Sequence, residues 1–210
     1  MLINEIENYT GISKNDNRGF SAELQWWRDY GASALGIGVI GNFSISMVTI
    51  GKYNRKTIAV YDTKVKKYAM FLRVAPFLGG AQNCYQEEYV IADKPYRGMN
   101  LPVKIYTFMI KTQNMILISD AMQTEGAQSI WKKLSEVQGI GVFGYNIVTH
   151  KVFQIDVEEY GADVYDTDLN AEIEYLQQEN SISAEEELKI LRPARRETRE
   201  HIRLFAAKTK

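Results

Sequence analysis

The spacing of apolar residues changes period several times along the chain, and each change marks an element. In SAELQWWRDYGASA (21–34), Leu24, Trp27 and Tyr30 recur at helical spacing, and Ser21 stands where it can cap the first turn. From Ile37 to Val74 the period falls to two. FSISMVTIG alternates, TIAVYD and YAMFLRV are β-branched or aromatic, and DTKVKK between them reads as a turn with a basic edge. PFLGGAQN (76–83) reads as a loop and CYQEEYVIAD (84–93) as a strand. Helical spacing returns in MNLPVKIYTFMIKTQ (99–113), with Val103, Tyr106, Phe108 and Ile110 on its buried face. NMILISD (114–120) is too short and too apolar for a surface helix and predicts a buried strand. TEGAQSIWKKLSEV predicts a helix capped by Thr124, and GIGVFGYNIVTHKVFQID one or two strands. Residues 1–20, with GISKNDNRG, read as a loosely held lead-in.

This order is helix, several strands, then strand–helix–strand–helix–strand. It predicts an α/β or α+β core with parallel strands in its second half. The core is expected over residues 1–155. Beyond it, residues 156–187 hold twelve Asp or Glu and no Lys or Arg, whereas 192–210 hold seven Lys or Arg against two Glu. Ser183 and Glu186 form a capping box, and Pro193 breaks a helix that ARRETREHIRLFAAK resumes. Residues 156–210 are therefore expected to form a helical, acidic-then-basic appendage.

Composition narrows the function classes. A net charge of −1 gives no global attraction to nucleic acid or anionic membranes. Cys84 is the single cysteine, and His150 and His201 are the only histidines, so internal disulfides and cysteine- or histidine-rich metal sites are excluded. No run of about 20 apolar residues exists to span a bilayer, and MLINEIENYTG lacks the basic head and apolar stretch of a signal peptide. The expectation is a soluble, cytoplasmic protein.

KPYRGMNLP (94–102) carries the sharpest chemical signal. A strand, a tight turn and a helix start present unpaired backbone N–H groups and a positive dipole end to an anion. Gly98 allows close approach, Asn100 is bulkier, and Pro102 suits a first helical turn while removing one donor. The turn alone fits either a phosphate site or a plain connection.

This strand–PYRG–helix–strand–helix order resembles the GNAT superfamily of acyl-CoA-dependent N-acyltransferases. That family has an Arg/Gln-x-x-Gly-x-Gly/Ala turn that binds the CoA pyrophosphate at a helix N-terminus. Arg97 matches its first position, while Asn100 and Pro102 stand at the two later small residues. TEGAQSIW (124–131) is similar to the family's Asn-x-x-Ala-x-x-x-Tyr helix, with Ala127 retained, Thr124 in place of the asparagine and Trp131 in place of the tyrosine. The likeness covers about Ser44 to Gln154. SDAMQTEGAQSIWKKL also resembles GNAT-like proteins encoded by tailed phages, which would place the chain in host cytoplasm or a virion.

The resemblance implies a mixed central sheet flanked by helices and an acetyl-CoA or other acyl-CoA cofactor, with no metal. It implies CoA contacts from the backbone of Val90, Ile91 and Ala92, from Arg97, Gly98, Met99, Asn100 and Leu101, and from Thr124 and Trp131. Acyl transfer to an amine also needs a base and an acid for the departing thiolate. Glu88 is the favoured base and Asp120 its alternative; Glu87 is expected on the opposite face from Glu88. Trp131 donates a hydrogen bond but is no usable acid, which leaves Tyr145 and Tyr106 as phenols. The structural reading of each residue is ordinary packing or a solvated charge.

Other signals carry less. GIGVIG (36–41) and GIGVFG (139–144) spell G-x-G-x-x-G, but β-patterned sequence follows each, where a dinucleotide site needs a helix. A Cys84–His150 nucleophilic pair lacks any activating neighbour in sequence. Of Trp26 and Trp27, one should enter the core and the other cover a cleft or meet a partner. Arg192, Arg195, Arg196, Arg199 and Arg203 suit nucleic-acid phosphates, a protein partner or solvent. The alternative to an enzyme is thus a catalytically inactive scaffold that works through protein or nucleic-acid contacts of this tail.

Overall fold

A computed structural model describes residues 18–51, 54–77, 82–119, 125–155 and 202–209. Among them are nine strands and three α-helices, an α/β architecture. The chain divides into two compact units, Met1–Ile105 and Tyr106–Lys210.

The first unit opens with helix α1 (Arg18–Tyr30), followed by β1 (Leu35–Ile40), β2 (Phe43–Ile50), β3 (Arg55–Asp62), β4 (Lys67–Pro76) and β5 (Cys84–Ala92). Each strand pairs antiparallel with the next, as the short turns between alternating segments dictate. One face of this meander packs on α1, where Phe20 and Trp27 meet Val48, Ala59 and Phe71. On the other, Ile45, Ile58, Val60, Met70 and Leu72 are fully buried, and the pairs Ile45–Val60, Ile58–Leu72 and Val60–Met70 stand directly opposite one another. Such cross-strand apolar pairs are the unit of sheet stability.

Helix α1 begins three residues before its expected start. Ser21 is an exposed interior residue rather than the cap, and Tyr30 is 60% exposed instead of buried. The inward stripe is Phe20, Glu23 and Trp27. A buried glutamate is invisible to a count of apolar periodicity, and it is tolerated because Arg73 on β4 reaches it at 3.2 Å.

Helix α2 (Leu101–Lys111) crosses the division between the units. Its buried residues are Leu101, Ile105, Tyr106, Met109 and Ile110, whereas Val103 and Phe108 are only half-buried. The i, i+4 and i, i+5 steps from Leu101 set that face. The second unit then holds β6 (Ile116–Ile118), α3 (Glu125–Ser135), β7 (Ile140–Asn146), β8 (Lys151–Gln154) and β9 (Ile202–Lys208). Its strand order is β6-β9-β7-β8, with every neighbouring pair antiparallel. β6 and β7 run in the same direction, but β9 separates them.

The expected helix over ARRETREHIRLFAAK is corrected here: Ile202–Lys208 is a strand. Leu204 and Ala206 are buried at 1% and 0%, a period of two that the Arg- and Glu-rich sequence before them obscures. Leu204 exchanges bonds with Ser119: its C=O accepts from Ser119 N–H at 2.8 Å, and its N–H donates to Ser119 Oγ at 2.9 Å. Arg203 is buried and so does not belong to an exposed basic surface. The acidic run, the capping box at Ser183 and Glu186, Pro193 and Arg192–Arg199 lie outside the described residues, as does most of the lead-in.

Candidate functional site

The turn after β5 is built from several interlocking bonds. Asp93 N–H donates to Ala69 C=O at 2.9 Å, and the Asp93 carboxylate accepts from Lys94 N–H at 2.8 Å, starting a short 3-10 helix at Lys94–Tyr96. Tyr96 turns inward. Its ring meets Phe43 edge-on at 6.1 Å, and its hydroxyl donates to Asp62 Oδ2 at 3.1 Å. Asp62 is itself 4% exposed and accepts from Asn42 Nδ2, Lys64 N–H and Val65 N–H through its other oxygen. An Asp at a strand end facing backbone two and three residues on is ordinary turn chemistry, and here it also anchors the turn after β5.

These contacts set the charges. Burial raises the Asp62 carboxyl, but the bonds from Asn42, Val65, Lys64 and Tyr96 outweigh it and leave its pKa below the usual value. Tyr96 is pushed up by burial, by its bond to Asp62 and by the negative charges of Asp62 and Asp93. A neutral phenol donating to a carboxylate is the state the site favours.

The following residues shape the anion cradle. Arg97 Nε donates to Ala92 C=O at 3.1 Å, folding the guanidinium back over the end of β5. Gly98 has φ +82°, and a side chain there would meet nothing within 4 Å, so open space faces its Cα. Asn100 has φ 55° and is exposed. Its place demands the left-handed conformation, which asparagine adopts more readily than other side-chain-bearing residues. Asn100 C=O accepts the first helical bond, from Lys104 N–H at 3.2 Å, so Leu101 and Pro102 occupy the first turn of α2. Pro102 thus sits where its missing N–H breaks no helical bond. Met99 is 52% exposed at the lip.

The first unit brings Glu88, Val90–Ala92 and Arg97–Leu101 onto one strand and the turn that follows it. Val90, Ile91 and Ala92 stand opposite Leu72, Phe71 and Met70 of β4. The expected opposition of Glu87 and Glu88 assumed a regular pleat. Arg73 faces Tyr89 and Val74 faces Glu87, so Glu88 is an extra residue in a bulge. Its carboxylate pairs with Arg55 Nε at 3.0 Å, and Glu87 is buried.

Tyr145 and Trp131 belong to the second unit. Tyr145 hydroxyl and His150 Nδ1 lie 2.8 Å apart on the β7–β8 hairpin. Trp131 is fully buried, edge-on to Tyr106 at 6.0 Å, and its indole N–H bonds no described residue. That enclosure gives Trp131 a place in the core, with no face on which a cofactor arm could lie. Asp120 and Thr124 lie outside the described residues. Burial pushes the Cys84 thiol up, away from the reactive thiolate. No group of acidic, cysteine or histidine side chains suited to a metal occurs among the described residues.

Sequence reasoning missed one further cluster in the first unit. Arg73 lies between the rings of Trp26 and Tyr89, at 4.9 and 5.0 Å, while bonding Glu23 and Thr57 Oγ1. The pairing of WWRD with a strand arginine has no local sequence signature.

Comparison with protein-family models, with curated proteins and with solved structures returned no match.

Proposed function

We propose that the chain is an acyl-CoA-dependent N-acyltransferase of GNAT type, with the CoA diphosphate on the turn Arg97–Leu101. The observation that carries this reading is the geometry of that turn: left-handed Gly98 beside open space, exposed Asn100, and a helix starting at Leu101. Backbone N–H groups of a first helical turn have no acceptor within the helix, and the dipole there favours negative charge. Acyl-CoA supplies the acyl group as a thioester, and CoA thiol is the leaving group. Arg97 adds positive charge beside the turn, and Val90–Ala92 offer extended backbone along which a pantetheine arm can bond. Glu88 takes the amine proton once its carboxylate exchanges Arg55 for substrate, and water protonates the departing thiolate.

A second reading has its own observation. Trp131 is enclosed where the family's tyrosine would stand, and indole cannot act as the acid. In that reading the fold binds its ligand without transfer and serves as a scaffold for a protein or nucleic-acid partner.

Thiol release from acetyl-CoA in the presence of a panel of primary amines separates the two. The transferase reading expects amine-dependent release that falls at least about a hundredfold in Glu88→Gln, the scale of losing a general base. CoA binding without any amine-dependent release establishes the scaffold.

A further inference from the structure

The turn DTKVKK has a basic edge that the CoA site does not use. It borders a cleft of about 320 Å³ within the first unit, walled by α1, the β3–β4 hairpin and Asp93. That volume is at the lower end of small-molecule sites, about 300–1,000 Å³.

Phe20 and Leu24 line the cleft, and Tyr61 and Tyr68 present half-buried rings to it, edge-to-face at 5.1 Å. Arg28, Lys66 and Lys67 also line it, all exposed, and none of the three forms an ion pair with a described residue. Tyr68 hydroxyl accepts from Trp27 Nε1 at 2.9 Å, which leaves its own O–H to donate. Tyr61 hydroxyl bonds no described residue. The one carboxylate among the described lining residues, Asp93, already accepts from Lys94 N–H. The cleft is therefore rich in donors and positive charge.

Backbone conformation singles out Lys66. Among the described residues, six other than glycine have positive φ: Asn54, Lys66, Asn83, Asn100, Asn114 and His150. Four are asparagine, the side chain best suited to that conformation. Lys66, at φ 59°, instead places a long cation at the cleft in a conformation disfavoured for lysine.

We propose that this cleft binds a small phosphate monoester carried on a planar ring, the chemistry of a nucleoside monophosphate. The ring packs on the tyrosine faces and the apolar wall. The phosphate meets Arg28, Lys66 and Lys67, whose charges match a dianion. The site shares Asp93 with the start of the turn after β5 but includes none of Arg97–Leu101, and it does not depend on the CoA reading.

The test is calorimetric titration of the full chain with AMP, adenosine and inorganic phosphate. AMP is expected to bind saturably with one site, and adenosine and phosphate at least tenfold more weakly. Lys66→Asn with Lys67→Gln should weaken AMP at least tenfold while preserving the melting temperature, because asparagine suits the left-handed position. Arg97→Glu should leave AMP binding within twofold, which distinguishes this site from the turn. The proposal is overturned by no saturable AMP binding at millimolar concentration, by AMP binding that survives the lysine double variant, or by AMP binding lost in Arg97→Glu. Tighter binding of a phosphotyrosyl peptide than of AMP would likewise overturn it in favour of a protein ligand.

Discussion

Tyr96 is the residue on which the candidate site depends most. A phenol buried against Phe43 and donating to Asp62 fixes where Arg97 and Gly98 emerge. Tyr96→Phe keeps the ring and removes the bond, and it should cost about 1.5 kcal/mol, typical of a hydrogen bond to a charged group. Chemical denaturation measures it. The pH dependence follows from the shifts. Asp62 has a folded pKa below its unfolded value, so its contribution is present above the unfolded value and lost as pH falls through the folded one. Tyr96 is raised, so its contribution is present below the ordinary tyrosine value and lost as pH rises through the folded one. Tyr96→Phe should therefore flatten the alkaline limb of a stability-against-pH curve, and an unchanged alkaline limb would contradict the role assigned to this bond. None of this was legible in PYRG alone. The motif suggested an anion turn, but the partner of Tyr96 lies 34 residues upstream, in a turn that sequence marks only as polar and basic.

At the scale of elements, β9 shows where sequence reasoning fails and why. It pairs with β6 through Leu117–Ala206 and with β7 through seven residue pairs, so it carries bonds on both edges. Deleting residues 202–210 should leave the edges of β6 and β7 unpaired and abolish cooperative unfolding of the second unit, read by amide hydrogen exchange of β7. Retained protection in β7 would refute this. The strand at Cys84–Ala92 and helices α2 and α3 were readable because their periodicity is local and long enough to dominate. IRLFAAK is a seven-residue alternation preceded by helix-favouring arginines and glutamates, and only pairing with distant partners decides it. Glu88 makes the same point in miniature: its orientation depends on a bulge against β4, which one strand's sequence does not encode.

For the whole molecule, the first unit gathers two places suited to anions, the Arg97 turn and the lysine-edged cleft, although the net charge is only −1. Local geometry, not global charge, must then supply affinity. No helix among the described residues is long and apolar enough to cross a membrane. The GNAT-type reading rests on element order and on the turn, of which Arg97 and Gly98 are legible in sequence while Asn100 and Pro102 depart from the small-residue positions. Asn100, by contrast, becomes intelligible only through its left-handed φ.

The most direct measurement is the melting temperature of the full chain with and without millimolar CoA, for the wild type and for Arg97→Glu. A ligand at 100 times its dissociation constant stabilises the native state by about 2.7 kcal/mol, a shift of several degrees for a unit of this size. The expected result is such a rise in the wild type and none in Arg97→Glu. A wild type indifferent to CoA, or a variant that responds equally, would contradict a diphosphate seat at the turn after β5.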